Sequence, residues 1–310
     1  MSLTENDNAA LSPDPRHFAR TYLAHHFRCA FNAMHEFSFE QYEAQQASVL
    51  PLRRGQRLAI AAPRGSAKST VHSLLLPVMD TVYQRERHIV IISATQQQAC
   101  HRLANIAREF RNNAALHTAF FGGKPPEMQA NRRCLIINDV RIEAYGCGAE
   151  IRGISHGEYR PTRIILDDVE ASRNALVPAR RHLLLEWYDE VIENLGDTYT
   201  HITIVGTILH RKSLLSLLLE RANYRGETYK SIIRWSRRFD LWSIFRQLYV
   251  DMSDPAREKS ADAYLEENRE QMLEGTQVLW PEKESYSDLE KLSLTIGRAA
   301  FAKEKQNAPY

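Results

Sequence analysis

The segment that most limits what this chain can fold into is AAPRGSAKST, residues 61–70. It stands directly after the apolar run Arg57–Ala61 and before the amphipathic run VHSLLLPVMDTV. A strand that enters a Gly- and Ser-bearing turn and leaves it as a helix exposes backbone N–H groups beside the positive end of the helix dipole. Phosphate binds at such a place. In the pattern GxxxxGK[ST] the Lys reaches the terminal phosphates and the following hydroxyl reaches magnesium, and Lys68 and Ser69 satisfy this. The match is incomplete, because Ala62 and Ala67 hold the two glycine positions and Gly65 sits between them. The candidate nucleotide-binding residues are Pro63, Arg64, Gly65, Ser66, Ala67, Lys68, Ser69 and Thr70. The competing view of the segment is a surface loop with a helix-capping Ser.

The rest of the chain supplies the context such a loop needs. Apolar runs predict strands at Arg57–Ala61, His88–Ala94, Arg163–Asp167, His201–Gly206 and Tyr229–Trp235. Helices are expected at Ser69–Gln84, Gln97–Phe110, Ala179–Asn194 and Lys212–Arg221, and CLIINDVRIEAY reads as an antiparallel hairpin turning at Asn138-Asp139. Strands alternating with helices, several apolar throughout, imply an α/β fold of the P-loop type. Its sheet is mainly parallel and flanked by helices. The expected division is an N-terminal helical segment (1–45, with 1–15 disordered), a core (46–235) and a small helical C-terminal lid or linker (236–310). Residues 17–49 read as helical, as does the charged stretch from Ser236 onward.

A second strand, RIIL, ends in Asp167-Asp168-Val169-Glu170. A carboxylate at a strand tip near a phosphate loop can hold magnesium, and a second can orient and deprotonate water. Asp167 is the candidate metal ligand beside Ser69. Asp168 and Glu170 both remain candidates for the second task, with the longer Glu170 preferred. Arg152, in the Gly-rich stretch GAEIRGISHGEYRP, is a candidate for a guanidinium that stabilises phosphoryl charge, although most single arginines are simply solvated. Thr207, after the strand HITIVG, stands where a small polar group could sense a terminal phosphate.

Bulk charge excludes little: 40 basic residues face 38 acidic ones, although 31 of the basic residues are Arg, which suits bidentate phosphate contacts. Arginines stand in pairs at Arg53-Arg54, Arg132-Arg133, Arg180-Arg181 and Arg237-Arg238, and the usual role of a charge pair is solvated surface. Cys29, Cys100, Cys134 and Cys147 lack metal-ligand spacing and read as buried thiols of a reducing compartment. No run of eighteen apolar residues and no signal core occur, so a soluble, cytoplasmic protein with no membrane association is expected.

Taken in order, APRGSAKST, IRG before ILDDVE, IVGTILH, and the closing VLWPEKES and IGRAAFAKEKQNAPY resemble the ATPase domain of the large terminase subunit of tailed double-stranded DNA bacteriophages. The resemblance spans about residues 35–310. It implies an ATP-hydrolysing motor that drives double-stranded DNA into a procapsid, with ATP and Mg2+ as cofactors. It implies Lys68 on the β/γ-phosphates and Ser69 with Asp167 on magnesium. Asp168 or Glu170 would activate water, Arg152 would act in trans, and Gly206-Thr207 would couple hydrolysis to movement. It further implies the portal protein, the small terminase subunit and duplex DNA as partners, with the paired arginines at 53–54, 132–133, 180–181 and 237–238 as candidate DNA or subunit contacts. The expected assembly is a homo-oligomeric ring on the procapsid, in the cytoplasm of an infected bacterial host, with a monomer possible in isolation. The family's nuclease domain has no counterpart strand set here, so no nuclease activity is expected. A helicase-like nucleic-acid-dependent ATPase and a non-hydrolysing nucleotide-binding scaffold remain the alternatives.

Overall fold

A computed structural model describes residues 14–47, 50 and 52–309. Its centre is an eight-stranded, mainly parallel sheet in the order β3-β4-β5-β2-β6-β7-β1-β8. The strands are β1 (Arg57–Ala61), β2 (His88–Ser93), β3 (Met128–Ala130), β4 (Cys134–Ile137), β5 (Val140–Gly146), β6 (Arg163–Asp167), β7 (His201–Gly206) and β8 (Arg225–Thr228). β5, β2, β6, β7, β1 and β8 run parallel, while β3 and β4 join antiparallel at one edge.

Alternation along β2 shows why the sheet is apolar on both faces. Ile89 and Ile91 join a cluster with Phe39, Leu75, Leu103 and Phe110, whereas Val90 and Ile92 join the opposite cluster with Tyr188, Leu195 and Leu218. A third cluster gathers Ile232, Trp242, Phe245, Leu265, Met272, Leu289 and Phe301 from the C-terminal part of the chain. There β9 (Ile232–Arg234) pairs antiparallel with β10 (Gln277–Val278).

Several expected elements shift. Tyr229–Trp235 is not one strand: β8 ends at Thr228 in the main sheet, and the chain re-enters extended geometry only at Ile232, in the small sheet. The 17–49 stretch holds two helices, Pro15–Tyr22 and Ala33–Gln45, with a turn between them. Val49 and residues 1–13 lie outside the described residues, but Asp14 and Pro15 are ordered as the N-cap and first residue of a helix. The helix after β1 is continuous over 68–82, with π-helical geometry at Val71–Leu75 just ahead of Pro77, whose nitrogen has no hydrogen to donate. The other expected helices fall at Gln96–Asn112, Pro178–Trp187 (continued by a π turn, Tyr188–Ile192) and Leu214–Leu219.

Two other expectations change with burial. Arg53 is 3% exposed and bonds Glu86, so it faces no external partner. Glu86 also meets Arg163, which pairs with Asp80, so the four charges compensate one another beneath the sheet. Of the four free cysteines only Cys100 is buried; the others are intermediate. Among the described residues no helix is long and apolar enough to cross a membrane.

Candidate functional site

Four parallel strands, β1, β7, β6 and β2, end side by side, and their tips carry Ala61, Gly206, Asp167 and Ser93. Open α/β sheets bind ligands at this edge. A cavity of about 390 Å³ lies there, and its walls include Lys68, Ser69, Asp168, Glu170 and Thr207.

Three carbonyls of the loop from Ala62 to Lys68 are held by side-chain donors that lie off the cavity wall. Lys305 Nζ reaches the Arg64 carbonyl at 3.0 Å, Lys283 Nζ the Gly65 carbonyl at 2.5 Å, and His35 Nε2 the Ser66 carbonyl at 2.8 Å. His35 accepts the Asn32 N–H at Nδ1, and burial pushes its pKa down to about 4, so it donates from Nε2 as a neutral ring. The N–H groups of residues 65, 67, 68, 69 and 70 meet no acceptor among the described residues. Carbonyls tied down outside and amides left free at a helix N-terminus make an anion cradle. Gly65 (φ 89°) and Ala67 (φ 63°) give the loop its left-handed turns. Ala67 carries that geometry without being glycine, which costs about 1–2 kcal/mol.

Opposite the cradle, Ser69 Oγ donates to Asp167 Oδ1 at 2.8 Å and Ser73 Oγ to Asp167 Oδ2 at 2.9 Å, so two hydroxyls four residues apart on one helix face hold one buried carboxylate. A residue absent from the sequence-based candidates completes this cluster. Arg102, on the helix Gln96–Asn112, sets Nε 2.9 Å from Asp167 Oδ2 and donates from Nη2 to Ser69 Oγ at 3.0 Å. No sequence pattern singles it out among 31 arginines.

Lys68 is buried, with Nζ 3.8 Å from Asp168 Oδ1. Asp168 has φ 49°, held by backbone bonds to β7 and to the tip of β2: its N–H donates to Val205 O at 2.9 Å and its carbonyl accepts from Ala94 at 3.2 Å. Gly206 lies against it: a Cβ there would come within 3.3 Å of Asp168 Oδ1, so a larger residue would make that carboxylate shift. Withdrawal from bulk water pushes the Asp168 pKa up, Lys68 pulls it back, and Asp167 adds to the rise. Glu170 is fixed at one end only. Its Oε2 accepts the Leu214 N–H at 2.9 Å, while its buried Oε1 has no hydrogen-bond partner among the described residues. Burial lifts its pKa to about 7, with the Leu214 and Leu215 amides opposing the rise.

The remaining candidates are placed as follows. Thr207 donates its hydroxyl to the Ala62 carbonyl at 3.2 Å and lines the cavity. Arg64 lines it as well, paired with Glu304 at 2.8 Å. Pro63 and Ser66 are buried in the loop and lie off the cavity wall. Arg152 is not brought to the site. It is exposed, borders a separate hollow with Arg160 and Glu190, and makes no hydrogen bond or ion pair with a described residue.

No protein-family model matches the chain, and no curated protein matches it. Similar solved structures include those of phage large terminases. A variant of the Thermus phage P74-26 large terminase ATPase domain is 14% identical with a TM-score of 0.47, over 83% of this chain and 90% of that one. The HK97 bacteriophage large terminase is 15% identical with a TM-score of 0.45, over 79% of this chain and 50% of that one. The large terminase of a thermophilic bacteriophage is 10% identical with a TM-score of 0.40, over 65% of this chain and 46% of that one. At these values function rests on the site itself.

Proposed function

We propose that this chain is the ATP-hydrolysing motor domain of a terminase-type large subunit. The observation that carries the ATPase reading is the free-amide cradle with buried Lys68, facing a Ser69–Asp167 pair and a carboxylate with one unpartnered oxygen. The DNA-packaging part rests on the order of the sequence motifs.

In this proposal the loop amides and Lys68 bind the β/γ-phosphates. The hard oxygens of Ser69 and Asp167, 2.8 Å apart, suit magnesium, and these two residues would hold it. A metal held there would neutralise charge on the phosphate oxygens. Arg102 keeps the Asp167 carboxylate compensated and, bonded to Ser69 Oγ as well, would hold the two ligand side chains in place. Glu170, anchored by Leu214, accepts the proton of the attacking water at Oε1, and a pKa near 7 suits that task. Asp168 works with Lys68 at the phosphate end. Arg152, remote from its own cavity, serves a neighbour's site in a ring.

Residues 1–45, 46–235 and 236–310 are proposed as the N-terminal segment, ATPase core and lid. The lid has its own apolar cluster and reaches the loop through Lys283, Glu304 and Lys305. Duplex DNA, a portal protein and a small terminase subunit are the proposed partners, in the cytoplasm of an infected bacterium.

The test is ATP turnover per chain against protein concentration, with and without linear duplex DNA and with Lys68→Ala as blank. Turnover that rises with concentration, and that Arg152→Ala abolishes while nucleotide binding persists, supports a ring completed in trans. Turnover that never exceeds the blank overturns the enzyme reading, and loss of nucleotide binding in Arg152→Ala overturns the trans role.

A further inference from the structure

Away from the cavity, on the N-terminal side of the molecule, a second group of polar side chains converges without any part in the proposed chemistry. Leu23 to Phe27 form a tight turn after the helix Pro15–Tyr22, closed by the His26 N–H to Leu23 carbonyl bond at 2.9 Å and the Phe27 N–H to Ala24 carbonyl bond at 3.1 Å. The turn presents two consecutive imidazoles to the helix Gln96–Asn112. His25 Nε2 and His26 Nε2 both stand 3.0 Å from the same atom, Glu109 Oε1. The three ligand atoms lie within 4.8 Å of one another.

The carboxylate is set for this. Asn113 donates to Glu109 Oε2 at 2.8 Å with the same amide nitrogen that bonds the Tyr22 carbonyl at 2.7 Å. Oε2 is thereby occupied and Oε1 is aimed at the imidazoles, and metal-binding carboxylates are commonly oriented by such a hydrogen bond. Two Nε2 atoms directed at one oxygen are an unusual use of two histidines, whereas around a cation the same three atoms are ordinary. Bonds of about 2.0–2.2 Å in tetrahedral geometry place ligand atoms roughly 3.3 Å apart. The two N–O separations are already within a few tenths of an ångström of that. The imidazoles, 51% and 33% exposed, are free to make the remaining adjustment.

We propose that His25, His26 and Glu109 form a binding site for a divalent cation of the zinc class. Two imidazoles and one carboxylate select a borderline-soft first-row ion over magnesium or calcium, which take oxygen ligands. Three protein ligands leave a fourth position open to water. The ion clamps the N-terminal turn to the last part of the helix that carries Arg102, seven residues or about 10 Å earlier along its axis. The site stands on its own geometry and does not depend on the ATPase reading.

The test uses the full chain stripped of metal with a chelator and titrated with Zn2+ against a chromogenic competitor. The expected result is one equivalent bound in the micromolar range or tighter. His26→Ala should weaken it at least about 100-fold, since even residues that only orient a ligand are worth 10–100-fold. His25→Ala should do the same, and its solvent-facing position keeps the fold intact. Glu109→Gln keeps an acceptor for the imidazoles and should also lose the ion. X-ray absorption at the zinc edge should show two imidazoles and oxygen, without sulfur. Equal Zn2+ affinity in parent and His26→Ala, sulfur around the zinc, or no binding tighter than about 100 μM would overturn the site and leave a hydrogen-bonded His-His-Glu cluster.

Discussion

Replacing Glu170 with Gln should make the protein more stable and less active at once. The carboxylate is anchored by the Leu214 amide at Oε2 and has no hydrogen-bond partner at Oε1 among the described residues. A Gln side chain retains the first bond and removes the buried charge. Burial raises the Glu170 pKa from 4.5 to about 7, and at about 1.4 kcal/mol per pH unit that interval corresponds to roughly 3 kcal/mol. Because the cavity opens to water, about 1–2 kcal/mol is the expected gain. The folded pKa lies above the unfolded one, so the penalty of the charge is absent below about pH 4.5. It grows as the pH rises through the interval and is complete above about pH 7. Urea unfolding of parent and Glu170→Gln should therefore coincide near pH 4.5 and separate by pH 8. In turnover, the parent should speed up with pH through about 7 and then level off, while the variant falls about 10²–10⁴-fold and loses that rise. Turnover within threefold of the parent, or a stability gain equal at pH 4.5 and pH 8, would refute the reasoning.

Two further outcomes follow from the same site. Arg102→Ala leaves the fully buried Asp167 with hydroxyl partners only. Stability without metal should fall by about 3 kcal/mol, the lower end for a broken buried pair, and Mg2+ should restore more of it than it adds to the parent; equal Mg2+ dependence in urea unfolding would contradict this. Ala67→Gly should gain about 0.5 kcal/mol, because relief of the left-handed geometry at φ 63° exceeds the entropy cost of glycine. A fall in thermal stability worth about 1 kcal/mol or more would show that Ala67 is not strained.

The parts of the fold visible in the sequence are those where local pattern and burial agree. β1, β6 and β7 are apolar on both faces and fall at their expected positions. The 61–70 loop is marked by a strand before it and a helix after it, despite its missing glycines. β8 escapes notice because its residues, RGET, are exposed edge residues whose pairing is dictated by β1. β3 is three residues long with two of them exposed, so it too carries no periodic signal. The π turn at Val71–Leu75 follows from Pro77 within a helix that tertiary packing keeps continuous.

Within the site, the residues given by motif meet in space. Those that depend on the approach of separate elements do not announce themselves. Arg102 reaches Asp167 only because β2 lies beside β6, so the helix after β2 crosses the end of the Asp167 strand. The three donors that hold the loop carbonyls come from residues 35, 283 and 305, which no local window joins. Arg152 shows the reverse: a residue singled out by its neighbours in sequence that the fold leaves outside its own cavity.

The central claim is that Lys68 and the free amides around it bind a triphosphate and support its hydrolysis. The measurement that tests it most directly is phosphate release from Mg2+–ATP by the parent chain alongside Lys68→Ala, at one protein concentration and neutral pH. The account predicts turnover by the parent and a loss of at least about 100-fold in the variant, since the buried ammonium is the fixed cation facing the phosphates. Equal rates in the two proteins would contradict it.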